Sequence, residues 1–230
     1  MTTTNAPTSA FAKYQPKAWP YRFSATLHLH TIAGGTPTDP KVAEGWLRTK
    51  LGTGDDLIRA QVAEVMAERG LDAEEAAAVV DSNRHLNGFK RDPEHGLYIE
   101  GRQIKAAIKE AASVAGAAEK IPLKSWGKTN KGLLGFIAEH VGVVEDRVYL
   151  GVHEPTGVNQ RFVHTFRGSG IQYEEYVEDA DITFTVIADW DFTPEQWAMI
   201  WLTGEQQGVG ATRSQGFGRY VVTKWERIKQ

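Results

Sequence analysis

The chain has no cysteine among its 230 residues. That excludes disulfide bonds and thiolate-based zinc sites, and it is compatible with a reducing compartment. No stretch approaches 18 uninterrupted apolar residues, so nothing reads as a membrane-spanning helix. The opening Met1-Thr2-Thr3-Thr4-Asn5-Ala6-Pro7-Thr8 has neither a basic nor an apolar signal region, and the expectation is a cytoplasmic protein with no membrane partner. Walker, Gly-x-Ser-x-Gly and His-Glu-x-x-His motifs are all missing, which removes the common nucleotide-hydrolysis, esterase and zinc-protease readings.

Charge is also nearly absent in sum, at −3, which argues against indiscriminate binding to nucleic acid. The charges are segregated, however. Residues 101–131 hold seven bases against two acids, residues 171–205 hold nine acids and no base, and residues 41–81 hold nine acids and five bases. Such blocks give either a basic face on an acidic body or ordinary solvated helix faces. With 41% hydrophobic and 24% charged residues, the chain has the composition of a soluble globular domain with a real core.

Residues 1–18 are polar and Thr/Ala-rich and read as a flexible arm, leaving residues 19–230 as one domain. Arg22-Phe23-Ser24-Ala25-Thr26-Leu27-His28-Leu29-His30-Thr31 alternates apolar and polar, the pattern of a half-buried strand that projects His28 and His30 together. A His-x-His pair can ligate metal, but no third ligand accompanies it, so no metal and no cofactor is assigned. Residues 39–86 carry helical periodicity broken by Gly52-Thr53-Gly54 and Gly70 and read as a helical insertion. From Gly101, Ile104, Ala107, Ile108, Ala111 and Val114 fall on one helix face, with Arg102, Lys105 and Lys109 outside. A basic first turn opposes the helix dipole, so an anion bound there would relieve the mismatch. Residues 120–135 form a basic loop whose Trp126 either stacks on a base or packs. Residues 147–152, 161–166, 171–177 and 181–188 read as separate strands. Thr193-Pro194-Glu195-Gln196 is an N-cap, a proline and a capping-box glutamine that open a helix.

The densest signal is Gly208-Val209-Gly210-Ala211-Thr212-Arg213-Ser214-Gln215-Gly216-Phe217-Gly218-Arg219-Tyr220. Its four glycines permit positive φ and close approach of a ligand to the backbone, although glycine-rich turns are also plain turns. Arg213 and Arg219 can fork onto phosphates, Phe217 and Tyr220 can stack on bases, and Ser214 and Gln215 can donate hydrogen bonds.

This loop resembles the glycine-rich loop of the RAMP superfamily, the CRISPR-associated RNA-binding proteins with ferredoxin-like domains. Arg91-Asp92-Pro93 followed by Tyr98-Ile99-Glu100-Gly101-Arg102-Gln103-Ile104-Lys105 is similar to the entry into the first core helix of backbone subunits of CRISPR effector complexes. The resemblance implies an α+β fold, a ferredoxin-like (RRM-like) βαββαβ core with an antiparallel sheet and a helical insertion. It implies binding of single-stranded RNA, or single-stranded DNA, by Gly208, Gly210, Arg213, Ser214, Gln215, Gly216, Phe217, Gly218 and Arg219, joined by Arg102, Lys105 and His30. It further implies self-association or assembly with other RAMP-like subunits.

Cleavage by such subunits uses an aspartate shortly before the Arg-Asp-Pro element, and here Leu86 stands in its place, with Asp81 the one nearby acid. Leucine neither ligates a metal nor moves a proton, so no catalytic residue is assigned. Metal-independent RNA cleavage needs a base, an acid and a cation, for which His28, His30 or His164 with Lys105 could supply parts. The expected function is therefore non-cleaving binding of single-stranded nucleic acid. A RAMP-type endoribonuclease and an assembly protein that kept the fold without its ligand are the alternatives.

Overall fold

The computed structural model describes residues 19–37, 63–64, 66–67, 70, 72–73, 86–118, 132–165 and 168–229. The arm at 1–18, Asp81, and the loop at 120–131 with Trp126 lie outside the described residues. So does most of the insertion, within which Ala63, Glu64, Met66, Ala67 and Ala73 are helical.

The elements run β1 (Tyr21–Ala33), β2 (Thr36–Pro37), β3 (Leu86–Gly88), β4 (Lys90–Asp92), β5 (Gly96–Glu100), α1 (Gly101–Ala118), α2 (Gly132–His140), β6 (Val141–Val143), β7 (Arg147–Tyr149), β8 (Gly157–Thr165), β9 (Gly168–Ala188), α3 (Pro194–Gln207), a short 3-10 turn (Arg213–Gln215) and β10 (Tyr220–Arg227). In the main sheet β1 pairs antiparallel with β10 on one side and β9 on the other. Val186 and Ala188 of β9 pair with β1 and also with β6, so β6 must occupy the opposite edge of β9. The order β10-β1-β9-β6, with α1 preceding β6 and α3 preceding β10, is the antiparallel βαββαβ arrangement of a ferredoxin-like core.

The alternation in β1 is what builds this sheet. Ala25, Leu27 and Leu29 are buried beneath the helices with Ile182, Phe184 and Val186 of β9, each large side chain contributing about 1.5–3 kcal/mol of burial. On the other face, Thr26 meets Thr183 and His28 meets Asp181, both across β1 and β9. Helix α3 seats Trp197 and Trp201 on an aromatic cluster with Phe23 and Trp225, the latter two rings stacked 4.5 Å apart. The expected capping box starts that helix: Gln196 N donates to Thr193 Oγ1 at 3.2 Å, and Thr193 N to Gln196 Oε1 at 2.9 Å.

Several expectations change. Residues 171–177 and 181–188 are parts of one strand, because β8 pairs with β9 from Gly168 to Tyr176 and β1 from Tyr176 to Ala188, bridging the gap at 178–180. The irregularity survives only as Asp179, at φ 51°. Val114 is exposed, and Ala112 and Ala115 are buried in its place, because the stripe through Ile104, Ile108 and Ala111 turns toward them at about 100° per residue. The stretch read as 147–152 is strand only to Tyr149. Finally, a second, three-stranded sheet, β4-β5-β7, packs Leu97, Ile99 and Val148 into the core.

Candidate nucleic-acid interface

The glycine-rich segment connects the end of α3 to β10 and folds back over the end of β1. Gly208 caps α3, its N–H donating to Gly204 O at 2.7 Å. Val209 N then donates to Gly218 O at 2.9 Å, Gly218 N to Thr31 O at 2.7 Å and His30 N to Arg219 O at 3.1 Å, while Ala211 bridges Ala33. The loop is thus fixed to β1 by backbone alone.

All four glycines have positive φ: 77° at Gly208, 86° at Gly210, 92° at Gly216 and 76° at Gly218. Their reasons differ. A Cβ on Gly218 would run into the Val209 carbonyl oxygen, and one on Gly208 would lie 2.8 Å from Gly218 C. These two glycines serve the loop's own crossing. A Cβ on Gly216 would meet nothing within 4 Å, so that stretch of backbone is open to approach from outside. Thr212, also left-handed at φ 57°, is held by donating from Oγ1 to Glu174 Oε1 at 3.0 Å.

The side chains divide likewise. Ser214, Gln215 and Arg219 are exposed and Phe217 is half-buried. Arg213 is instead engaged, its NH1 2.7 Å from Glu110 Oε2 on α1. Tyr220, offered by the sequence as a stacking ring, is buried edge-to-face against Trp201. Burial, then the nearby Glu205 carboxylate, pushes its hydroxyl above the usual tyrosine range, and it cannot serve as a base platform.

The uncovered face of the main sheet adjoins Arg219. His28 and His30 project together with ring centroids 5.6 Å apart, and Asp181 Oδ1 fixes the His28 ring through Nδ1 at 2.9 Å. Val221 and Lys224 stand exposed on the neighbouring strand. No cluster of three metal-ligating side chains exists among the described residues.

The basic start of α1 finds its counter-charge within the chain. Arg102 Nε donates to Glu100 Oε2 at 2.9 Å, and Lys90 Nζ donates to Glu100 Oε1, also at 2.9 Å. These partners, Arg102 first and then Lys90, hold the Glu100 carboxyl below its ordinary range. Gln103 accepts from Glu100 N at 3.2 Å, half of a capping box. Lys105 lies about 140° around the helix from Glu110, so it does not share the flank that meets the loop. Arg219 comes together with His30, whereas Arg213 turns to Glu110 on α1 and Arg102 to Glu100.

A shallow, open cleft is lined by Gly34, Gly35 and Gly210 together with Lys90, Tyr98 and Gln103. Gly34 is required there because a Cβ would strike Gly88. Sequence reasoning misses the carboxylates that organise this region. Glu174 and Glu175 are both buried, and Glu175 accepts from Phe89 N at 3.1 Å and Arg91 NH2 at 2.7 Å. Their only sequence signal is a pair of acids inside a strand pattern, a place where acids are seldom left unpaired.

No protein-family model matches this sequence, and no curated protein matches it. No described helix is long and apolar enough to cross a membrane. Among solved structures, the chain is similar to one in the cryo-EM structure of the Type III-B Cmr-beta bound to cognate target RNA, at 12% identity and a TM-score of 0.49. The match covers 91% of this chain and 61% of that one, so this chain spans about three-fifths of the matched chain's length.

Proposed function

We propose that this protein binds single-stranded nucleic acid, RNA in preference to DNA, where residues 208–219 meet the uncovered face of the main sheet, and that it does not cut the strand. The observation that carries this reading is Arg219. It is exposed, has no ion-pair partner among the described residues, and is presented beside His30 by a loop locked to β1. A cation on a rigid backbone next to a polar sheet face with half-exposed rings suits a phosphate and its neighbouring base. Ser214 and Gln215 add donors, and Gly216 leaves the backbone approachable. Further copies, or related subunits, assemble along the same strand.

Fluorescence anisotropy of a labelled single-stranded RNA, against matched DNA and at two salt concentrations, tests this. Binding should be saturable, salt-sensitive and tighter for RNA. Arg219→Ala should weaken it and lower the salt slope by about one phosphate's worth. Absence of binding to either strand would refute the reading and leave an assembly role.

One observation favours a second reading. His28, oriented by Asp181, stands beside His30 with Arg219 adjacent, and a base, an acid and a cation are what metal-free RNA cleavage requires. Shortening of the RNA in chelator, abolished by His30→Ala, would establish it.

A further inference from the structure

We propose that the outer face of the three-stranded sheet is a second nucleic-acid contact, a platform on which one unpaired base stacks against His95 while Arg147 and Lys90 hold the adjoining phosphates. This rests on the reading of the protein as a binder of single-stranded nucleic acid, and it assigns the path of the strand beyond the loop.

Cross-strand register puts the relevant side chains on one face. Lys90 pairs with Tyr98, Asp92 with Gly96, Tyr98 with Tyr149 and Glu100 with Arg147. Directly opposed residues share a face, and Leu97, Ile99 and Val148 take the other, in the core. The outward face therefore carries Lys90, Asp92, Tyr98, Glu100, Arg147 and Tyr149, with His95 at the β4–β5 turn.

These groups are already arranged for stacking. The His95 ring lies on Tyr149 with centroids 4.9 Å apart and planes 29° from parallel. Asp92 steadies it, with Oδ1 3.3 Å from His95 Nδ1. Tyr98 stands edge-on to Tyr149 at 5.8 Å, and the Arg147 guanidinium lies over the Tyr98 ring at 5.1 Å. One face of the imidazole is covered by Tyr149 and the side chain is 53% exposed, so a base laid on its outer face would extend an existing stack with little ordering left to do.

The electrostatics point the same way. Arg147 is 53% exposed while its partner Asp92 is 13% exposed, and Lys90 is 37% exposed against 23% for Glu100. In each pair the cation faces solvent and the carboxylate lies behind it. A phosphate therefore meets the positive member first.

The platform is also continuous with the loop. Tyr98 and Lys90 belong both to this face and to the cleft whose lining includes Gly210. A strand leaving the glycine-rich loop crosses that cleft to reach the stack.

The test is anisotropy of a labelled RNA on the order of 20 nucleotides, longer than the site of one such domain, with wild type, His95→Ala, His95→Phe and Arg219→Ala. His95 is an exposed turn residue, and alanine keeps the backbone N–H that Asp92 accepts, so folding is not at stake. His95→Ala should weaken binding about tenfold, the loss of one base–ring stack, with an unchanged salt slope. His95→Phe should restore affinity, which a merely structural role for the imidazole–Asp92 bond would not allow. Arg219→Ala should instead lower the slope. Wild-type affinity in His95→Ala, or failure of phenylalanine to rescue, would overturn the platform while leaving the loop reading in place. A wild-type protein that binds no RNA would overturn both.

Discussion

Replacing Gly218 by alanine isolates the part of the loop that is self-supporting. At φ 76° an L-residue costs roughly 1–2 kcal/mol in left-handed strain. The new Cβ would also run into the Val209 carbonyl oxygen, so the crossing has to open. That breaks the Val209 N to Gly218 O and Gly218 N to Thr31 O hydrogen bonds, each contributing about 0.5–1.5 kcal/mol net. The total is about 2–5 kcal/mol. Gly216→Ala is the matched control: its φ is 92°, yet its Cβ meets no atom within 4 Å, so only the strain of about 1–2 kcal/mol applies. Urea unfolding of the two variants, followed by tryptophan fluorescence, measures the difference directly. RNA anisotropy on the same samples should show Gly218→Ala much weaker in binding than Gly216→Ala. Equal stability of the two variants would refute the argument that Gly218 is demanded by the backbone crossing.

Two further outcomes follow from charged groups. Glu110→Gln releases Arg213 from its 2.7 Å ion pair; the pair is part-exposed, so stability should change by less than about 1 kcal/mol, while RNA binding tightens and its salt slope rises by about one phosphate contact. Weaker binding in that variant would show that Glu110 orients Arg213 rather than masking it. The Asp92 carboxyl is lowered to about 2, chiefly by the backbone N–H groups of Glu94 and His95. Its folded value lies below the unfolded one, so its contribution is complete above the unfolded value and disappears as pH falls through about 2. The urea midpoints of wild type and Asp92→Asn should therefore differ at neutral pH and converge below pH 4; a constant difference down to pH 2 would refute the assignment.

Local signals in the sequence proved sufficient where the structure is local. The alternation from Arg22 to Thr31, the Thr193–Gln196 capping box and the apolar stripe of α1 report neighbours two to four residues away, and each element forms, with only Val114 falling outside its predicted face. The positive φ of the four loop glycines belongs to the same class. What stayed hidden depends on partners distant in sequence. Glu174 and Glu175 sit inside a strand pattern, and nothing local says that Thr212 would donate to the first or Phe89 N and Arg91 to the second. The second sheet is only partly legible: β7 lies within the strand read at 147–152, but β4 is three residues long and becomes a strand only through pairing with β5. At the candidate site, no local pattern could say that Arg213 would meet Glu110, or that Tyr220 would turn inward while Arg219 turns out.

The orientation of the ion pairs decides how an acidic chain could hold a polyanion, and it treats the two surfaces differently. Beside the loop the carboxylates are the outer members: Glu110 is more exposed than Arg213, and Asp181 more exposed than His28. On the open sheet a phosphate meets Asp181 before His28, and Arg219 is an exposed cation there. On the three-stranded sheet the order is reversed, with Arg147, Lys90 and Arg102 outside their partners. Screening acts mainly on exposed charges, so the salt-dependent part of binding should concentrate at the second sheet and at Arg219. The face carrying His28, His30 and Val221 is then left to contact bases rather than backbone. A strand so placed would run its phosphates along the exposed cations and turn its bases toward the rings, and that geometry needs no excess of positive charge in the chain as a whole.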